Sequence, residues 1–466
     1  MTGYWQLLPE VLVLGAALLA LFGEYLPGKD RGAVRIAAAL AAVSAFVVVV
    51  VPANGTLFGE MLVFDGSARF IKAGIVGLTA LWLLWLSARG IPGERSRDAA
   101  ALALFSALGG MLLASSAELI TMYMALELST MPAYVLVGYR RREVLGLEGA
   151  LKYFLLSLLT SLIMLYGLSF LFGVTGTTWL SEMSLANAGP LGLVAALLTV
   201  VGLLAKISAA PFHYWAPDAY AGAPAAIVAF VSTVPKIAGA AVLVRLFQVI
   251  IPGLPDVTWV VLVASVASMV LGNLAALPQS DVRRLMAYSG VAHSGYLLLA
   301  LSSGTSLGYG AVLYYAVAYA VPSLAVMLLV AEEGHVLTDL SGLASRRPAA
   351  AWSAVIWLLS LIGIPPLAGF VGKLYLFRGT LDAADTPWPI VAVVIAVLAS
   401  VVSAGYYFRL VREMFLGGGA VDDFADTTPA SPVSREPVAN IAFGIAVAAT
   451  VALGVAVSPL VDLLGL

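Results

Sequence analysis

The chain contains no cysteine. It can therefore hold no disulfide, no thiolate zinc site and no cysteine-ligated iron–sulfur cluster. Charge is also scarce: Asp, Glu, Lys and Arg make up 11% of the 466 residues, where a soluble domain carries about 25%. The net charge of -2 points to neither nucleic acid nor an acidic substrate. No Walker A run, no GxGxxG and no HExxH occurs, so no motif is present to cradle ATP or a dinucleotide. The start, Met1–Trp5, lacks the basic residues and the cleavage site of a signal peptide, so the first apolar run is expected to be a retained helix.

What is present is apolar residue. Hydrophobic residues make up 61% of the chain, and the mean hydropathy is +1.01. This predicts an all-α polytopic membrane protein. A spanning helix needs about 20 apolar residues. About fourteen such spans are expected: 5–26, 33–52, 69–89, 98–116, 118–139, 146–173, 191–216, 222–250, 258–277, 281–302, 306–331, 351–378, 388–415 and 437–463. Sixteen of the 24 basic residues, from Lys29 to Arg435, then fall on one set of alternate loops. The other side keeps only Arg69, Lys72, Arg245 and Arg378. The positive-inside rule puts the sixteen in the cytoplasm and both termini on the outer, periplasmic side of a bacterial plasma membrane.

The four remaining basic residues, Lys152, Lys206, Lys236 and Lys373, lie inside expected spans. All are lysine, and no arginine shares their position. Arginine holds its proton, whereas lysine changes its pKa readily when buried. An intramembrane charge costs at least about 2.5–3.5 kcal/mol on insertion scales, so a set of four lysines points to proton handling. Prolines mark two interrupted helices. One breaks around Pro211 and again near Pro217, within KISAAPFHYWAPDAYAGAP. The other breaks at Pro365–Pro366, within SLIGIPPLAGFVGKLYLF. Broken helices in corresponding halves point to a transport site. The expected organisation is three flanking helices (1–97), a five-helix unit (98–250), a second, inverted one (251–416), and a final loop and helix (417–466). Each unit carries one broken helix. The loop Gly417–Pro437, with Asp422, Asp423 and Asp426, is expected to lie flat on the cytoplasmic surface.

Glu127, in MYMALELSTMPAYVL, has no charged sequence neighbour closer than Glu118. A buried carboxylate is either protonated or paired, and lysine from the next helices offers the partner. Lys152, Lys206 and Lys236 fall on three consecutive expected spans. At 8–10 Å between helix axes they would form a row bridged by water, with coupled titrations. His213, just after the first break, offers either a relay or a partner for freed carbonyls. His293, mid-span in RRLMAYSGVAHSGYLLL, offers a relay in the second unit. His335, beside Glu332 and Glu333, is expected to be solvated. Asp218 offers proton access or helix capping, and Glu10 a packing or transport role. Moving one charge against 100 mV costs about 2.3 kcal/mol, and no nucleotide or redox motif is present to supply it. Pumping would need a partner.

Together the Glu127 helix, EGALKYFLLS around Lys152, the stretch from Lys206 to Lys236 and GIPPLAGFVGKLYLF around Lys373 resemble the antiporter-like subunits of respiratory complex I. The resemblance covers roughly residues 100–415. The wording FHYWAPDAYAGAP and the lysine at 373 are closest to the N type among the three kinds of such subunit. The resemblance implies two inverted five-helix repeats and a hydrophilic axis. In it Glu127, Lys152, Lys206, Lys236 and Lys373 carry protons, with His213 and His293 as lesser relays. It implies no cofactor or metal in this chain. NADH, FMN, iron–sulfur clusters and quinone belong to partner subunits. The implied partners are an M-type subunit, small membrane subunits, a peripheral redox arm and lipid. A subunit of an Mrp-type cation/proton antiporter shares most of these motifs, and a non-pumping scaffold would leave the lysines dispensable.

Overall fold

In lipid a backbone must satisfy its own hydrogen bonds, and a helix does this within one segment. The computed structural model of the chain describes residues 3–25, 29–51, 55–140, 143–382, 386–416 and 437–455, and is built of helices. The flanking helices are α1 (Leu8–Leu21), α2 (Lys29–Val50) and α3 (Gly66–Arg89). Next come α4 (Ser96–Ser115), α5 (Leu119–Val137), α6 (Val144–Thr175) and α7 (Gly189–Lys206). Then follow α8 (Trp215–Gly222), α9 (Ala225–Val231), α10 (Val234–Gly253), α11 (Val257–Ala276), α12 (Val282–Leu301) and α13 (Ser306–Glu333). The chain continues through α14 (Leu343–Arg346), α15 (Pro348–Ile362), α16 (Ala368–Leu381), α17 (Pro387–Leu416) and α18 (Pro437–Val455). A short antiparallel hairpin, Gly55–Leu57 with Leu62–Phe64, joins α2 to α3 and was not expected.

Among the described residues twelve segments are long and apolar enough to cross a membrane, against the expected fourteen. The two others are present as helices but fall short of that measure. Helix α12 is long enough, but Arg283, Arg284, His293 and two serines lower its hydropathy. The expected span 351–378 is divided into α15 and α16 at the double proline, as the sequence suggested. Gly363, at φ 95°, ends α15 in the left-handed conformation that favours glycine.

Three local expectations are corrected. The expected break near Pro217 is absent, because Pro217 lies in the first turn of α8, where a missing N–H leaves no helical bond unmade. The expected continuous span 222–250 is broken at Ser232–Thr233. There Pro235 removes a donor at the start of α10, and the Thr233 hydroxyl donates back to the Ala229 carbonyl at 2.7 Å. Lys72 is not in a loop. It is buried in α3, two turns from the helix start. The loop containing Asp422, Asp423 and Asp426 lies outside the described residues.

The apolar parts of α9–α10 and α13 are wholly buried within the protein. Helices α5, α6 and α17 instead present exposed faces, such as Leu151, Leu155, Leu159 and Leu162 of α6. Close glycine contacts bind α6 to α7 and α11 to α12. A Cβ on Gly202 would lie 2.4 Å from Met164 Cβ, and one on Gly295 would lie 2.7 Å from the Ser265 carbonyl oxygen. Small residues let membrane helices approach this closely. Helix α18 packs on α3, α13, α15 and α16.

Candidate functional site

The stop of α7 places Lys206 at its last residue. The Ala205 carbonyl accepts from the Ser208 amide at 3.0 Å and from the Trp215 indole at 2.9 Å, so it does not need the lysine side chain as a donor. Its Nζ reaches α5, where it donates to Tyr134 OH at 3.0 Å and to Thr130 Oγ1 and Glu127 Oε1 at 3.3 Å. Glu127 Oε1 also accepts from Ser161 Oγ of α6 at 2.7 Å. The lysine side chain is 3% exposed and the glutamate 12%. The half-buried carboxylate thus has the lysine partner expected for it. Thr130, Tyr134 and Ser161, which complete the pair, were missed in the sequence. Thr130 and Tyr134 follow Glu127 at i+3 and i+7, and helical spacing could have found them.

Lys236 lies in the first turn of α10, directly after the 232–233 break. It is buried, and its Nζ has no hydrogen-bond partner among the described residues. The amine lies against Gly290 of α12. A Cβ there would be 2.6 Å from Nζ and 3.1 Å from Tyr319 OH. The absent side chain makes room for the lysine and points it at the neighbouring polar cluster.

That cluster surrounds His293, one turn along α12. Nδ1 faces Tyr315 OH at 2.7 Å, and Nε2 faces Tyr407 OH at 3.4 Å. Tyr319 lies beside the ring, with centroids 4.5 Å apart. Tyr407 also bonds Ser289. A neutral imidazole donates from one nitrogen and accepts at the other, so a change of tautomer exchanges the roles of the two tyrosines. Tyr315 and Tyr319 share one face of α13 at i,i+4. That spacing was the available signal for a polar stripe, which the sequence reading did not single out.

Lys373, in α16, points back to the end of α15. Its Nζ donates to the Ile362 carbonyl at 2.8 Å, to the Leu361 carbonyl at 3.2 Å and to Ser400 Oγ of α17 at 3.1 Å. Ser400 donates to Tyr296 OH at 3.0 Å, and the amine sits 4.8 Å from the Tyr296 ring centre. Tyr296 in turn packs edge-on to His293 at 5.7 Å. Polar groups therefore form two runs, one from Glu127 to Lys206, and another from Lys236 of the first half through the His293 cluster to Lys373 of the second.

Lys152 departs from the expected row. Its side chain is 44% exposed and pairs with Glu148 at 2.7 Å and Asp218 at 2.8 Å. Asp218 also takes Arg284 at 2.9 Å. Burial raises the Asp218 carboxyl, but the bonds from Lys152 and Arg284 outweigh it and hold the group below its ordinary 3.8. His213 is buried in the 207–214 break and packs on Tyr214. Among the described residues its Nδ1 has no hydrogen-bond partner, and no contact joins it to Lys206. His335 is exposed, as expected. It lines a 510 Å³ cavity with Arg89, Arg283 and Glu332.

Comparison with known proteins gives a consistent picture. Residues 116–403 match the family described as NADH:quinone oxidoreductase/Mrp antiporter, transmembrane. NADH-quinone oxidoreductase subunit N of Rubrobacter xylanophilus is 37% identical, with 88% of each chain covered. Subunit N of Trichlorobacter lovleyi is 35% identical over 94% of this chain and 92% of that protein. Among solved structures, a chain of Thermus thermophilus respiratory complex I matches with a TM-score of 0.82 at 32% identity, covering 97% of this chain and 98% of that one. A chain of the Mrp complex from Dietzia has the same fold, with a TM-score of 0.84 at 23% identity over 100% and 97% of the two chains. With a family match over more than half its length and relatives aligned nearly end to end, the chain belongs to the transmembrane NADH:quinone oxidoreductase/Mrp antiporter family.

Proposed function

We propose that the chain is a proton-translocating membrane subunit of a complex I, of the N type. Electron transfer from NADH to quinone, carried by partner subunits with flavin and iron–sulfur centres, drives it. The observation that carries this reading is the set of three buried lysines, with Lys206 bonded to Glu127 and to the Tyr134 hydroxyl, Lys236 set against Gly290 beside the His293 cluster, and Lys373 bonded to Ser400. Lys206 shares its charge with Glu127. A proton placed on Lys236 has no carboxylate of its own, so its stability depends on its neighbours. Transfer through the His293 tyrosines would deliver it to Lys373. Asp218, Lys152 and Arg284 stand where the first half meets water, and His213 is a lesser relay beside the break.

In this reading the membrane crossings number fourteen, with α12 and the α15–α16 pair included. Residues 98–250 and 251–416 form two inverted units. The matching glycine contacts of α4–α5 and α11–α12, where a Cβ on Gly109 would lie 2.3 Å from the Ser129 amide nitrogen and one on Gly272 would lie 2.6 Å from that of Ala292, support that symmetry. Both termini lie on the outer face of a bacterial plasma membrane. Neighbours are an M-type subunit, small membrane subunits, the peripheral redox arm and lipid. The Mrp-type reading rests on the shared family and fold, whereas the relatives at 35–38% identity carry the subunit N name.

Mild-detergent purification followed by mass spectrometry tests the assembly. Co-purifying flavin and iron–sulfur subunits support it, and small antiporter subunits alone would overturn it. Lys236→Ala tests the path. Proton uptake into inverted vesicles should fall to background while the complex still assembles and oxidises NADH. Full pumping by that variant would establish a scaffold instead.

A further inference from the structure

Glu10 and Lys72 take no part in the path above, yet they form the shortest lysine–carboxylate contact among the described residues, 2.6 Å. Their side chains are 6% and 4% exposed. Among the described residues no hydroxyl or amide reaches either glutamate oxygen, and the amine also lies against the Phe64 ring, 4.1 Å from its centre. A buried ion pair without such support is a poor fastener, since apolar residues of similar size often hold helices as well or better. Ionisable groups retained inside a membrane protein are more often tied to ion movement.

The surroundings give the pair an outlet. Lys72 and Asp65 line one cavity of 20 Å³, together with Gln6 and Arg69. Asp65 also lines a second cavity of 30 Å³, with Arg245 and Gln248 of α10. A water needs roughly 10–15 Å³ of such space and a few polar neighbours, and both cavities meet that. Asp65 caps α3 by accepting from the Ala68 amide at 2.7 Å, and its other oxygen takes Arg245 at 2.9 Å. Its side chain is 40% exposed. Arg245 lies on the same helix as Lys236, so a movement of α10 is felt at both.

We propose that Glu10 and Lys72 form a second proton-exchange site, carried by the flanking helices and open through Asp65 to the face from which α3 starts. The step moves one proton. Lys72 Nζ gives it through water to the Asp65 carboxylate, leaving a neutral amine beside the Glu10 carboxylate, and the reverse transfer reloads the amine. Arg245 gates the exchange, because Asp65 is a better acceptor when the guanidinium withdraws. The inference rests on the proton-path reading, in which this is the outer, release face.

The test uses the whole complex in inverted vesicles, with protons moved per NADH oxidised as the readout. A residue that only packs helices does not alter that ratio while electron transfer continues. Glu10→Gln combined with Lys72→Met should retain NADH oxidation and lower the ratio. Asp65→Asn should lower it too, since asparagine keeps the α3 cap but cannot take up the proton. If the double variant pumps at the native ratio, the pair is packing and the proposal is overturned. If the double variant does not assemble, Asp65→Asn decides, and a native ratio there overturns it equally. Lys236→Ala, measured alongside, separates the two readings. Its full pumping sinks the path itself, whereas its loss beside a native double variant sinks only the second site.

Discussion

Two broken helices bring a lysine to the interior, and they hold it by different means. At the α7–α8 break the Trp215 indole and the Ser208 amide both donate to the Ala205 carbonyl. Lys206 is then free to cross to another helix and meet Glu127. At the α15–α16 break no indole serves, and Lys373 itself takes the carbonyls of Leu361 and Ile362. The end of a helix carries roughly half a negative charge, so α15 supplies to Lys373 what Glu127 supplies to Lys206. The difference lies in what can change. A glutamate can move, lose its charge or be shared with a neighbour. A helix end keeps its partial charge for as long as the helix stands. The first lysine is therefore switchable through its partner, and the second is a fixed receiver whose proton must be displaced by a change at its other neighbours, Ser400 and Tyr296.

The largest effect should come from dividing the first pair. Lys206→Met leaves Glu127 without its cation, and Glu127→Leu leaves Lys206 without its anion. Breaking a buried pair in this way costs about 3–5 kcal/mol. Both single variants should yield much less assembled complex on native gels. The double variant, with two apolar residues in place of the pair, should recover most of the assembly and none of the pumping. Equal assembly in all three would show that Glu127 is no counter-ion to Lys206.

A smaller loss is expected at the second break. Lys373→Met leaves the buried Leu361 carbonyl without its side-chain donor, at about 1–3 kcal/mol for a buried group left unsatisfied, while the part-buried Ile362 carbonyl can turn to water. No carboxylate substitution elsewhere should restore it, because no carboxylate is its partner. Pumping should vanish while thermal stability, followed by the melting of NADH oxidase activity, falls only modestly. Recovery of pumping by a second-site neutralisation of an acidic residue would break the contrast between the two lysines.

Much of this contrast was legible in the sequence, because charge and proline are rare in it. Lys206, Lys236 and Lys373 stood out against apolar runs, and the double proline at 365–366 marked the break that Lys373 caps. Other parts were hidden for physical reasons. Lys72 follows Arg69 closely and resembled a loop residue, since its partner Glu10 lies on a different helix. The break before Lys236 is made by Ser232 and Thr233, whose hydroxyls bond their own helix and pass in sequence for ordinary membrane residues. The tyrosines around His293 come from α12, α13 and α17, and only the packing of those helices brings them together. Lys152 was grouped with the interior lysines because it stands eight residues into α6. Its long side chain instead meets Glu148 and Asp218 near water.

The smallest effect should fall on Lys152, and it tests where the contrast between held and free lysines ends. Its partners are half-exposed carboxylates, and ion pairs near water contribute little. Lys152→Met should leave assembly close to native. Asp218 keeps Arg284 in that variant, so its carboxylate stays paired. The pH dependence has a definite sign. A carboxyl held below its ordinary 3.8 in the folded protein contributes its full stabilisation above that pH and loses it only as pH falls further. Between pH 5 and 8 the native protein and Lys152→Met should therefore show parallel pumping profiles, the variant lower by at most a small constant factor. If the variant's profile shifts along the pH axis, Lys152 exchanges protons with the path and belongs with Lys206, Lys236 and Lys373 after all. A parallel profile identifies it as the surface end of the Asp218 network, with proton transfer confined to the lysines that the fold buries.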